Sequence, residues 1–90
     1  MFRYKRSIPV EYDLQGYIYF TSRLYRELPK GKQAKIRKLC EEAAGEYADA
    51  LMLFVTTDTG KAEVCAKYFI SESTLERVVR RYYLAFKRCL

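Results

Sequence analysis

Apolar residues recur along most of this chain at the three- and four-residue spacings of amphipathic helices. In residues 13–28 the stripe is Tyr17, Phe20, Leu24 and Leu28, with Asp13 placed to cap the start. The types in Tyr17-Ile18-Tyr19-Phe20 also suit a strand. No partner strand is evident elsewhere, which favours the helix. Leu28-Pro29-Lys30-Gly31 ends the element. Residues 31–57 keep one apolar face through Ala34, Ile36, Leu39, Cys40, Ala43, Tyr47, Leu51, Phe54 and Val55. Gly45 interrupts it, and a mid-helix glycine costs about 1 kcal/mol relative to alanine. Two helices, near 31–44 and 46–57, are therefore expected. Thr56-Thr57-Asp58-Thr59-Gly60 reads as a loop. A short helix follows over 61–69 with Val64, Cys65 and Tyr68 inward, and a last one over 72–88. Residues 1–12 read as an extended arm, because Pro9 restricts Ile8 to extended conformations. No repeat or long linker appears. The expectation is one all-α domain over 1–90: an arm (1–12), N-terminal helices (13–44) and a helical core (46–88).

Composition narrows the function. Ninety residues, half of them apolar, can build a single core but not a deep pocket beside it. No apolar run approaches the roughly 20 residues that cross a bilayer. No apolar stretch follows the basic start, so a signal peptide is not expected. The three cysteines, Cys40, Cys65 and Cys89, are far apart, and there is no histidine. This argues against a disulfide framework and a structural zinc site. Each cysteine falls on the apolar side of an expected helix, as free thiols do in a reducing, cytoplasmic compartment. The net charge of +6 favours polyanions, nucleic acid first and an acidic membrane surface second. Without histidine the usual general base near neutral pH is missing, and no glycine-rich phosphate loop or paired aspartate motif is present. An enzyme, a cofactor, a metal and a small-molecule ligand are therefore not expected.

The most informative stretch runs from Lys61 to Arg81. Two helices meeting at a sharp turn need fixed buried positions, and Val64, Tyr68, Ile70, Leu75 and Val78 supply them. Cys65 is a small residue where the helices approach. Ser71 or Ser73 can cap the second helix, and Ser73-Thr74-Leu75-Glu76 fits a capping box. With Ile70-Ser71-Glu72-Ser73-Thr74-Leu75 at the turn, the stretch resembles the helix-turn-helix superfamily, in the style of transposase and sigma-factor DNA-binding modules. The resemblance covers about a third of the chain, or nearly half with 46–57 as supporting helix. The whole chain also resembles short uncharacterised proteins of bacterial mobile elements. Phe69 departs from the family, which commonly has glycine there.

At about 100° per residue, Val78, Val79, Tyr82, Phe86 and Cys89 share the core side of the last helix with Leu75. Glu76, Arg77, Arg80, Arg81, Lys87 and Arg88 lie opposite. The resemblance implies that this helix enters the major groove of double-stranded DNA. Ser73, Glu76, Arg77 and Arg80 are then the candidates for base edges. Lys61, Lys67, Arg81 and Arg88 are candidates for phosphates. Lys32 and Lys35 belong to a dense basic cluster that is either a backbone clamp or a set of intrahelical pairs with following acids. Arg3, Lys5 and Arg6 can enter a minor groove as an arm, or lie free. A charged outer arc is also what any surface helix shows. Tyr17, Tyr19, Tyr25, Tyr82 and Tyr83 have the chemistry to stack on bases, although tyrosines more often line a core. The competing function is a helical protein-interaction module. Leu75, Val79, Tyr82, Phe86 and Cys89 make a short heptad seam, which can pack on the N-terminal helices or form a homodimer.

Overall fold

The computed structural model describes residues 2–90, so the first residue of the expected arm lies outside the described residues. Five α-helices and no strand occur among the described residues: α1 (Tyr12–Arg23), α2 (Lys30–Ala44), α3 (Ala48–Thr56), α4 (Lys61–Tyr68) and α5 (Glu72–Arg88). The chain is all-α.

Helix α5 is the organising element. Leu75, Val78, Val79, Tyr82, Tyr83, Ala85 and Phe86 are buried along it. Its most extensive partner is α2, which presents Ile36, Leu39, Cys40 and Ala43. Helix α3 supplies Ala50, Leu51, Met52 and Val55 to the same core. The seam Leu75, Val79, Tyr82 and Phe86 is thus spent inside the chain. Cys89, expected to continue it, is exposed beyond the end of the helix. Of the three cysteines only Cys40 is buried outright; Cys65 is half-buried.

Helix α1 differs from expectation in length and in face. It stops at Arg23, and a single 3-10 turn over Tyr25–Glu27 follows. Gln33 of α2 stabilises this bend by donating Nε2 hydrogen bonds to the carbonyls of Tyr25 (2.9 Å) and Leu28 (3.2 Å). Asp13 is not the cap; Glu11 holds that position without a side-chain bond, and Asp13 lies in the first turn. Tyr17, Phe20 and Leu24 are about half exposed, whereas Gln15, Ile18 and Ser22 are buried. Polar partners explain the rotation. Ser22 Oγ sits 2.6 Å from the Tyr82 hydroxyl and donates to the Ile18 carbonyl at 2.7 Å. Hydrogen bonding lets Ser22 and Gln15 occupy a core face that a hydrophobicity pattern assigns elsewhere.

Gly45 breaks the long central pattern, as expected. Its φ of 57° and ψ of −119° suit a residue without Cβ, and a 3-10 turn over Gly45–Tyr47 redirects the chain from α2 into α3. The N-terminal segment is anchored rather than free. Ile8 and Val10 are only 2% and 3% exposed. Gln15 clasps the segment: its Oε1 accepts from the Lys5 amide at 2.9 Å, and its Nε2 donates to the carbonyls of Lys5, Ile8 and Val10 at 2.9, 3.2 and 3.1 Å.

Candidate nucleic-acid interface

Helices α4 and α5 are joined by three residues, Phe69–Ser71. Val64 closes the inside of the angle with Leu75 and Val78, all essentially buried, while Tyr68 and Ile70 pack at the edge. Phe69 takes the left-handed conformation (φ 56°, ψ 46°) that ends α4. Its ring is 94% exposed, so no packing offsets the backbone strain. Ser71 is the N-cap of α5, accepting from the Thr74 amide at 3.1 Å. Ser73 is therefore inside the first turn, and Glu76 is free of the expected capping box. Glu76 instead meets Lys61, the first residue of α4, at 3.0 Å.

This packing forms a surface groove of about 560 Å³. All four base-edge candidates, Ser73, Glu76, Arg77 and Arg80, line it from α5. Lys61 lines it from α4, and Lys5 with Ser7 and Ile8 from the N-terminal segment. The Gln15 clasp fixes the Lys5 backbone, so its ammonium is held at the groove rather than carried on a loose arm. Burial lowers the Lys5 pKa from its ordinary value, and nearby Lys61 lowers it further, against the opposing pull of Glu76. Four cations thus share one groove with a single carboxylate. The groove carries a net positive charge, and Lys61 and Glu76 partly neutralise each other within it.

The other candidates lie apart from this groove. Arg81 and Arg88 are exposed on α5. Lys67 is exposed on α4, its ammonium 5.8 Å from the Tyr68 ring centroid. Lys32 and Lys35 line a different hollow of about 280 Å³ with Leu39, Phe86 and Leu90. They do not line the α5 groove. Arg3 and Arg6 are exposed, and Arg3 lines a third hollow with Tyr19 and Arg23. Among the tyrosines, Tyr82 and Tyr83 are buried and unavailable for stacking. No group of three or more potential metal ligands occurs among the described residues. No described helix is long and apolar enough to cross a membrane.

Pattern reading missed Gln15 as the residue that positions Lys5. The sequence offers only a weak signal for it: Glu11, Gln15, Ile18 and Ser22 share a helical spacing of four and three. Compared with known protein families, with curated proteins and with solved structures, the chain matches none.

Proposed function

We propose that this protein binds double-stranded DNA through α4 and α5, with α3 as supporting helix, in the manner of a helix-turn-helix. The observation that carries this reading is the shared groove. Ser73, Glu76, Arg77 and Arg80 of α5 stand beside Lys61 of α4 and Lys5 of the N-terminal segment. Arg77 and Arg80 are exposed, as side chains that reach base edges must be. Lys61 and Lys5 flank them as point charges for the sugar-phosphate backbone. A small transcriptional regulator or a DNA-processing accessory of a bacterial mobile element fits the resemblance of the turn.

Glu76 has a defined part in this scheme. Its pairing with Lys61 lowers the attraction for phosphate in general. A cytosine N4 amine offered to the carboxylate compensates when Lys61 turns to a phosphate. The pair therefore favours particular sequences over bulk DNA. The competing protein-interaction reading loses its main support, because Leu75, Val79, Tyr82 and Phe86 are buried within the chain. Alanine substitution separates the roles. Arg77→Ala and Arg80→Ala should each weaken a selected duplex by about 1–3 kcal/mol and relax sequence choice. Lys61→Ala should weaken all duplexes, and most those that offer Glu76 no cytosine amine. Identical behaviour of the three variants contradicts the assignment.

A further inference from the structure

One surface remains unexplained by either the core or the α5 groove. The rings of Phe2, Tyr12, Tyr19 and Phe20 form a connected cluster, with Tyr4 beyond Tyr12. Phe2 is its hub, at 5.5 Å from Tyr12, 5.5 Å from Tyr19 and 6.1 Å from Phe20 between ring centroids. It lies over Gly16, where a Cβ would meet the ring at 3.6 Å. The outer rings face water: Tyr12 is 62%, Phe20 55% and Tyr4 44% exposed. Contiguous exposed apolar surface of this kind marks an interaction site more often than an accident of folding.

We propose that this aromatic face binds the unpaired bases of a single-stranded nucleic acid by stacking. Its chemistry fits that ligand in three ways. First, the rings hold one another in place, so little side-chain freedom is lost on binding. Second, cations border them. Arg3 and Arg6 flank the cluster along the chain, and the Arg23 guanidinium, which also meets Asp58 at 3.4 Å, lies 5.5 Å from the Tyr19 ring centroid while donating to its hydroxyl at 2.7 Å. Rings that stack with bases, beside cations that meet phosphates, are the elements of sequence-tolerant single-strand binding. Third, the face is continuous with the basic groove. Arg3, Tyr19 and Arg23 line a hollow that shares Lys5 and Phe54 with the α5 groove.

Charge decides against a second copy of the chain as the occupant. Residues 2–23 carry Arg3, Lys5, Arg6 and Arg23 against only Glu11 and Asp13. Glu11 is within 3.5 Å of Lys87 and Arg23 within 3.4 Å of Asp58, which leaves Arg3, Lys5 and Arg6 against Asp13. A two-fold contact through this face would set cations against cations. The nearly all-aromatic character of the exposed face favours flat bases over acyl chains. The proposal does not rest on duplex binding by α5.

The test is fluorescence anisotropy of a labelled oligothymidylate with the full chain and with the Tyr12→Ala/Phe20→Ala double variant. Both positions are exposed, and circular dichroism checks that the variant remains helical. The wild type should bind at low salt, and the double variant should lose at least about tenfold in affinity. A double variant that does not fold is replaced by ring-proton shifts in the wild type: upfield movement of Tyr12 and Phe20 resonances on titration supports stacking, and its absence contradicts it. Single-strand binding that survives while wild-type duplex binding is absent would remove the function proposed for α5 and leave this inference standing. Three results overturn it: no oligothymidylate binding at low salt, equal binding by the folded double variant, or a dimer in light scattering that the double variant converts to monomer. Binding to anionic vesicles without binding to oligothymidylate also overturns it.

Discussion

Replacing Gln15 by leucine keeps the volume of the side chain and removes its amide. In the native chain that amide makes four hydrogen bonds to the N-terminal segment, at 2.9–3.2 Å. Each such bond contributes about 0.5–1.5 kcal/mol net, so the set is worth about 2–6 kcal/mol. Lys5 is half-buried, and water can reach its two backbone groups once the clasp opens. The Ile8 carbonyl keeps the Val10 amide at 2.8 Å, but the Val10 carbonyl has no such relief unless the segment detaches, which would expose two buried aliphatic side chains. We therefore expect a loss of about 2–4 kcal/mol. At about 4–8 °C per kcal/mol for a domain of this size, Tm falls by about 8–30 °C. Urea unfolding followed by circular dichroism measures the change directly. A Gln15→Leu protein within about 0.5 kcal/mol of the parent would refute the clasp as the anchor of the segment.

Three further outcomes are expected. Phe69→Gly should stabilise the chain by about 0.5–1 kcal/mol, since it relieves a left-handed residue and sacrifices no packing; a lower Tm would show that the Phe69 ring has a folded-state partner. Burial raises the Tyr83 pKa from 10.0 to about 12, with Tyr19 adding to it, and pushes Tyr82 higher still. Burial likewise raises Cys40 from 9.0 to about 12. The folded chain then holds more protons than the unfolded chain above pH about 9, so stability falls as pH rises toward about 12. Urea midpoints that stay constant between pH about 9 and about 11 would contradict this. A thiol reagent under native conditions should modify Cys89 first, Cys65 more slowly and Cys40 only on unfolding, as read by mass spectrometry of digested samples; early labelling of Cys40 would refute its burial.

The sequence pattern was most legible where hydrophobicity alone sets structure. The α5 face, the Gly45 break and the α4–α5 turn follow from apolar spacing and one glycine. Helix α1 was misread because two of its three buried residues are polar. Gln15 and Ser22 enter the core through hydrogen bonds to Lys5, Ile8, Val10 and Tyr82, partners up to 60 residues away in sequence. No local pattern encodes such partners, and the displaced aromatic rings then face water. The same bonds turn the expected loose arm into an anchored segment that brings Lys5 to α5. Of the candidate DNA contacts on α5, Ser73, Glu76, Arg77 and Arg80 share one groove, whereas Arg81 and Arg88, which periodicity sets on the same arc, lie outside it. Lys32 and Lys35 lay on a surface that only the packing of α2 against α5 could reveal.

The central claim is that α5 and its neighbouring lysines bind duplex DNA. The direct measurement is fluorescence anisotropy with a labelled random duplex, titrated at several salt concentrations. Lys5 and Lys61 are the groove's contacts for the sugar-phosphate backbone, so about two phosphates should be neutralised there, and log K should fall by about 2 per tenfold rise in salt. Lys61→Ala should reduce that slope by about 1. A folded, helical chain that binds no duplex at low salt would contradict the account and leave the α5 charges as an ordinary solvated face.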